Sequence, residues 1–127
     1  MRLIIYGTLI TVFVVCAGTV QATNDLDGKA LFCKSWLGGS IPFYGLVFSQ
    51  GEVTRHEVKG YSKTIAYKVK YQIRGTNEVR WRVTGRWTTL NRETLKVNID
   101  QCSLSSKKEI LQKLDGIIAN AKKKNKM

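Results

Sequence analysis

Lys63-Thr-Ile-Ala-Tyr-Lys-Val-Lys-Tyr-Gln-Ile73 alternates without a break. Ile65, Tyr67, Val69, Tyr71 and Ile73 share one parity; Ala66, Lys68, Lys70 and Gln72 share the other. β-Branched and aromatic residues at every second place predict a strand with one buried face. Residues 78–83 repeat the pattern, with Val79, Trp81 and Val83 inward and Glu78, Arg80 and Arg82 outward. Arg74-Gly-Thr-Asn77 between them has the composition of a turn. A loop of Gly75, Thr76 and Asn77 sets the register: Ile73 faces Val79, Tyr71 faces Trp81 and Val69 faces Val83. This buries one aromatic and two aliphatic pairs, whereas a slip of one residue turns the whole set to water.

The same register crowds cations on the outer face. Arg74 meets Glu78, but Gln72 meets Arg80 and Lys70 meets Arg82, and like charges directly opposed are destabilising. Lys68 and Arg86 are expected to extend the stripe. Lys68, Lys70, Arg80, Arg82 and Arg86 therefore read either as an anion-binding surface or as a solvated face that discourages sheet-edge association.

Outward from this hairpin, the chain begins Met1-Arg2, followed by an apolar run over residues 3–20 and Val20-Gln21-Ala22. A basic start, an apolar run and small residues before a cut predict a signal peptide over residues 1–22, cleaved after Ala22. An uncleaved anchor is the rival reading, since the run is just long enough to span a bilayer. Lys and Arg number 21 against 9 Asp and Glu, a formal net charge of +12. Residues 1–22 carry Arg2 and no acid, so the remainder holds 20 cations against 9 acids, a net charge of +11. Such a balance predicts attraction to polyanions and is silent on fold.

Removal of the leader leaves residues 23–127, enough for one domain with one core. Cys16 leaves with it, and Cys33 and Cys102 remain. In an oxidising compartment this pair reads as a disulfide. The protein is thus expected to be periplasmic or secreted.

Short strands are expected over residues 30–35, 43–49 and 52–58, with turns at Asp27-Gly28, Gln50-Gly51 and Gly60. The loop around Gly38, Gly39 and the single proline, Pro42, makes Trp36 the tryptophan expected to be exposed. A last strand is read at 94–99, where Leu95, Val97 and Ile99 alternate with Lys96 and Asn98. Then the period changes. Ser106 and Glu109 form a capping box, and Ile110, Leu111, Leu114, Ile117, Ile118 and Ala121 recur at helical spacing. A helix over 106–123 follows, with Lys122, Lys123 and Lys124 complementing its dipole. It reads as a lid on the sheet; as a membrane-surface helix it lacks Trp or Phe on its stripe. The fold class is mainly β (α+β): an antiparallel meander, or a small partly open β-barrel, with one C-terminal helix packed on it.

Leu26-Asp-Gly-Lys-Ala-Leu-Phe-Cys33, Tyr44-Gly-Leu-Val-Phe48, Leu90-Asn-Arg-Glu-Thr-Leu95 and the lysine-rich end from Cys102 onward resemble a group of small exported bacterial proteins. These begin LDGK-x-L-x-C and end in a lysine-rich helix. The resemblance covers most of the chain after the leader and implies export from a bacterial cell; the group brings no assigned function and no site. Gly85-Arg86-Trp87 also looks like the G-x-W of lipocalins, which there lies in the first strand and here lies late.

Catalytic chemistry finds little to stand on. His56 is the single histidine, and on a strand its neighbours Arg55 and Glu57 point to the other face. Glu52, Glu57, Glu78, Glu93 and Asp100 are spread without pairing, and no phosphate loop, G-x-S-x-G or HExxH occurs. No metal or other cofactor is implied. Aromatics interleave with cations, but on a strand rings and charges fall on opposite faces, which argues against base stacking and nucleic acid. The expected function is therefore a non-enzymatic exported binding module. Its basic face meets an acidic envelope component, a membrane surface or an acidic protein. The alternative is a lipocalin-like carrier whose apolar pocket is lined by Tyr67, Tyr71, Trp81 and Trp87.

Overall fold

The computed structural model describes residues 26–38 and 42–124. The expected leader, residues 1–22, lies outside them. Among the described residues the strands are β1 (Ala30–Lys34), β2 (Phe43–Ser49), β3 (Glu52–Lys59), β4 (Ser62–Arg74), β5 (Glu78–Val83), β6 (Arg86–Asn91), β7 (Lys96–Val97) and β8 (Asp100–Ser105), followed by the helix α1 (Lys107–Lys124). Each strand pairs antiparallel with the next, and β8 pairs with β1. The sheet is an up-and-down barrel that closes completely, rather than the partly open one expected. Closure leaves no sheet edge in need of protection. No helix among the described residues is long and apolar enough to cross a membrane.

The central hairpin forms in the predicted register. Arg74 pairs with Glu78, Ile73 with Val79, Gln72 with Arg80 and Tyr71 with Trp81. The ladder ends there, so the expected Val69–Val83 and Lys70–Arg82 pairings lie past it. Two local devices change the parity on either side. Between β3 and β4, Arg55 pairs with Tyr67 and His56 with Ile65, which leaves Ala66 as a bulge. A single extra residue moves everything beyond it to the other face. Ile65, expected inward, is 61% exposed on the outside. Between β5 and β6, Thr84 and Gly85 both take positive φ and form a two-residue turn, placing Val83 opposite Arg86 and Arg82 opposite Trp87. Trp87 therefore belongs to the outer face and Arg86 to the Val83 side of the hairpin, the reverse of expectation.

The strand expected over 94–99 shrinks to β7. Leu95 and Asn98 have positive φ, which breaks the extended run on both sides. Asn98 and Ile99 then form the turn into β8, with Val97 opposite Asp100. β8 is the strand that sequence reading missed, and it is the one that closes the barrel.

Side chains fill the interior. Trp81, Phe48, Leu46, Val53 and Val79 are fully buried, and Phe48 meets both Tyr71 and Trp81 edge-on at 5.4 and 5.8 Å. Cys33 and Cys102 face each other across the β1–β8 seam, bonded, with Cα atoms 4.0 Å apart. A disulfide at this place is consistent with an oxidising compartment.

A second core lies outside the barrel, where Ile110 and Leu114 of α1 press on Ala30, Phe32, Val47 and Val58. Gly45 makes this approach feasible: a methyl group there would fall inside the Ile110 side chain. The serine half of the expected capping box forms, Ser106 Oγ accepting from Glu109 N at 3.1 Å. Lys63 Nζ, turned outward by the bulge, meets Asp115 of the helix at 2.9 Å. The helix packs as a lid on the β1 to β4 side.

Candidate functional site

The outer face of the central strands holds most of the residues singled out in the sequence. Lys68 and Lys70 stand exposed on β4, opposite Thr54 and Glu52. Lys68 Nζ lies 3.7 Å from Glu52 Oε1, a surface pair of little energetic weight. On β5, Arg80 and Arg82 project from the same side. The Arg80 guanidinium carbon lies 4.0 Å from the centre of the Trp87 ring and that of Arg82 lies 5.3 Å from it. Both are in cation–π range. Arg82 also donates to the Gly85 carbonyl at 3.4 Å.

Trp87 is 41% exposed, so the indole is a shared platform that holds two guanidinium groups in place without neutralising them. Among the described residues no carboxylate lies within ion-pair distance of Lys70, Arg80 or Arg82. The Arg80 Nε–H, turned away from solvent, has no acceptor among them either. Arg86, expected in this group, sits at the barrel rim on the other side of the hairpin.

The expected apolar pocket does not assemble. Tyr71 and Trp81 are buried in the barrel, Tyr67 is half-buried beside them, and Trp87 is outside. The Trp81 indole donates to Tyr67 Oη at 3.0 Å, and Tyr71 Oη donates to Asp27 at 2.8 Å. The rings are packed against one another with their polar atoms satisfied.

Sequence reading missed a polar cluster inside the barrel end that carries the β1–β2, β3–β4, β5–β6 and β7–β8 connections. Tyr44 Oη donates to Asp100 Oδ2 at 2.5 Å, and Trp36 N donates to Asp100 Oδ1 at 2.8 Å. The Arg55 guanidinium lies 3.7 Å above the Tyr44 ring and bonds Glu57 at 3.1 Å. Glu57 and Asp100, apparently scattered in sequence, are thus engaged at one end. Burial, then the hydrogen bond and charge of Asp100, push the Tyr44 hydroxyl well above the ordinary phenol range, so it stays protonated and donating. Every named group here has a partner, and the cluster closes this end as a polar plug. Trp36, as expected, is exposed, at 75%.

His56 is on the outer face of β3, opposite Gly45, and is covered until 8% of its surface remains. Burial, and secondarily the charge of Lys107, lower its pKa from 6.5. The native state thus disfavours the charged imidazole, while the unfolded chain accepts a proton near pH 6.5. The stability it contributes is complete above that pH and falls as pH is lowered through and below it. A drop in thermal midpoint between pH 7 and 5 is expected, and His56→Leu should flatten it. An unchanged pH profile in that variant would contradict the assignment.

No family model, curated protein or solved structure matches the chain.

Proposed function

We propose that the protein is an exported, non-enzymatic binding module. Its outer β4–β6 face contacts an acidic component of the cell envelope, at a membrane surface or on an acidic protein. The observation that supports this reading is the Arg80–Trp87–Arg82 platform, with Lys70 exposed on the adjacent strand: guanidinium groups ordered by stacking, and, among the described residues, no carboxylate within ion-pair distance of the three cations. An anion placed there relieves their mutual repulsion and meets donors already fixed in direction. The net positive charge adds long-range attraction. The disulfide and the leader-like start agree with export.

The carrier reading, in its expected form, loses its pocket, since three of its four rings fill the core and the fourth is outside.

Binding to anionic and to neutral phospholipid vesicles, measured by co-sedimentation, tests the proposal. Binding is expected to the anionic vesicles alone and to weaken steeply as ionic strength rises from about 0.01 to 0.1 M, which shortens the screening length from about 30 to about 10 Å. Lys70→Gln and Arg82→Gln should each weaken it by about fivefold, the equivalent of ~1 kcal/mol per cation near an anionic surface. The Lys70→Glu/Arg82→Glu double variant should lose it with the fold intact. Full binding by that variant would contradict the proposal.

A further inference from the structure

The two ends of the barrel are built differently. One is plugged by the Tyr44, Asp100, Arg55 and Glu57 cluster. The other, bearing the β2–β3, β4–β5 and β6–β7 connections, opens into a pocket of about 270 Å³. Leu31, Phe48 and Leu90 form its floor, continuous with the barrel core. Leu26, Leu95 and Leu104 form its walls. The charged lining residues are Lys29, Arg92 and Glu93.

Three details mark this mouth as preformed for a ligand. Leu104 is 69% exposed, an apolar strand side chain left in water beside an apolar floor. Leu95 is held at φ +60°, an uncommon conformation for leucine. It is fixed there by bonds from its own N–H to the Asn91 carbonyl (2.8 Å) and from Cys102 N to its carbonyl (3.0 Å). The neighbouring turn is locked by Asn91 Oδ1, which accepts from Glu93 N and Thr94 N at 2.9 and 3.1 Å. Finally, the charged side chains among the described lining residues are two cations, Lys29 and Arg92, against one carboxylate, Glu93, which is held by a hydrogen bond from Asn77 Nδ2 at 3.0 Å.

We infer that this mouth binds a single unbranched alkyl chain of medium length ending in a carboxylate. The chain lies on Leu31, Phe48 and Leu90 beneath Leu104, and the carboxylate meets Lys29 and Arg92. The volume sets the length. A methylene takes about the share of liquid volume that a water molecule does, roughly 30 Å³, so the pocket holds about nine carbons. The lining sets the class: an apolar body with one anionic end, in the mouth of a barrel, where ligand sites recur. This site is separate from the basic face of β4–β6 and does not depend on it.

Titration of the purified protein with octanoate, octanol and butanoate, followed by methyl-resolved NMR, tests the inference. Octanoate should shift the methyl signals of Leu26, Leu95 and Leu104 and bind at least tenfold more tightly than octanol. Shortening the chain should weaken binding about fourfold per methylene, the equivalent of ~0.8 kcal/mol per buried CH₂, and lengthening it past about nine carbons should add nothing. Lys29→Glu should abolish the preference for octanoate over octanol. Leu104→Asp should weaken both about tenfold; both side chains are exposed, so a retained thermal midpoint certifies the fold. The Lys70→Glu/Arg82→Glu variant should bind octanoate like the parent. The inference is overturned by equal affinity for octanoate and octanol, by affinity that keeps climbing with chain length, by shifts confined to the Trp87 face or by no binding at all.

Discussion

Replacing Cys33 and Cys102 by alanine, or reducing their bridge, is expected to lower the unfolding free energy by about 2–5 kcal/mol. The thermal midpoint should fall by roughly 10–30 °C for a domain of this size. The bridge spans 69 residues of sequence and joins directly opposed positions on the first and last strands. In the chain-entropy model, closing so long a loop removes about 4 kcal/mol of freedom from the unfolded chain. Its position adds a second consequence. The β1–β8 seam is the pairing most distant in sequence, and it is the one the bridge secures. Amide exchange should therefore accelerate first at the seam, at Phe32 and Ser103, which face each other across it, when the bridge is reduced. Denaturant melts with and without reductant would show this; coincident curves would contradict the account.

Trp81→Ala is expected to cost about 3–5 kcal/mol, the range for emptying a fully buried aromatic site. Trp81 is completely buried, packs edge-on with Phe48 at 5.8 Å, stands opposite Tyr71 and donates to Tyr67 Oη. The closed barrel around it has little room to collapse, so the cavity persists. Trp81→Phe retains most of the volume and loses the hydrogen bond, and its cost should be well under half that of the alanine variant. Equal losses in the two variants would shift the weight from packing to the indole N–H. Neither change should alter the salt dependence of vesicle binding, because the ring points away from the basic face.

The fold was legible where alternation and turn chemistry agreed. Residues 69–83 carry both, and the hairpin register follows from them directly. Legibility failed where one residue decides parity. Nothing in the composition around Ala66 distinguishes a bulge from a regular strand, so alternation alone places Ile65 inward. Alternation carried on past Val83 without the two-residue turn at Thr84–Gly85 puts Arg86 outward and Trp87 inward, the reverse of their observed sides. β8, Asp-Gln-Cys-Ser-Leu-Ser, is short, polar and poor in β-branched residues, so local pattern does not announce it. Its pairing with β1 is a long-range fact, sustained by Cys102 opposite Cys33 and Leu104 opposite Leu31.

The candidate sites divide in the same way. Lys68, Lys70, Arg80 and Arg82 were readable because an outer strand face needs only parity. That Trp87 joins them required the turn. The polar plug was not readable, because Arg55 and Glu57 look like outer-face residues until β2 and β4 flank them. Tyr44 and Asp100 meet only through the closed barrel.

The three tryptophans occupy three distinct places: Trp36 exposed at the plugged end, Trp81 buried in the core and Trp87 on the basic face. Their indole N–H signals in a ¹H–¹⁵N spectrum, recorded while small bicelles containing anionic phospholipid are added, report which face of the barrel meets the acidic surface. The Trp87 signal is expected to shift in proportion to bound lipid and to return with salt, while Trp81 stays in place and Trp36 moves little. A shift at Trp36 with Trp87 unmoved would put the contact on the plugged end and contradict the basic face as the binding surface.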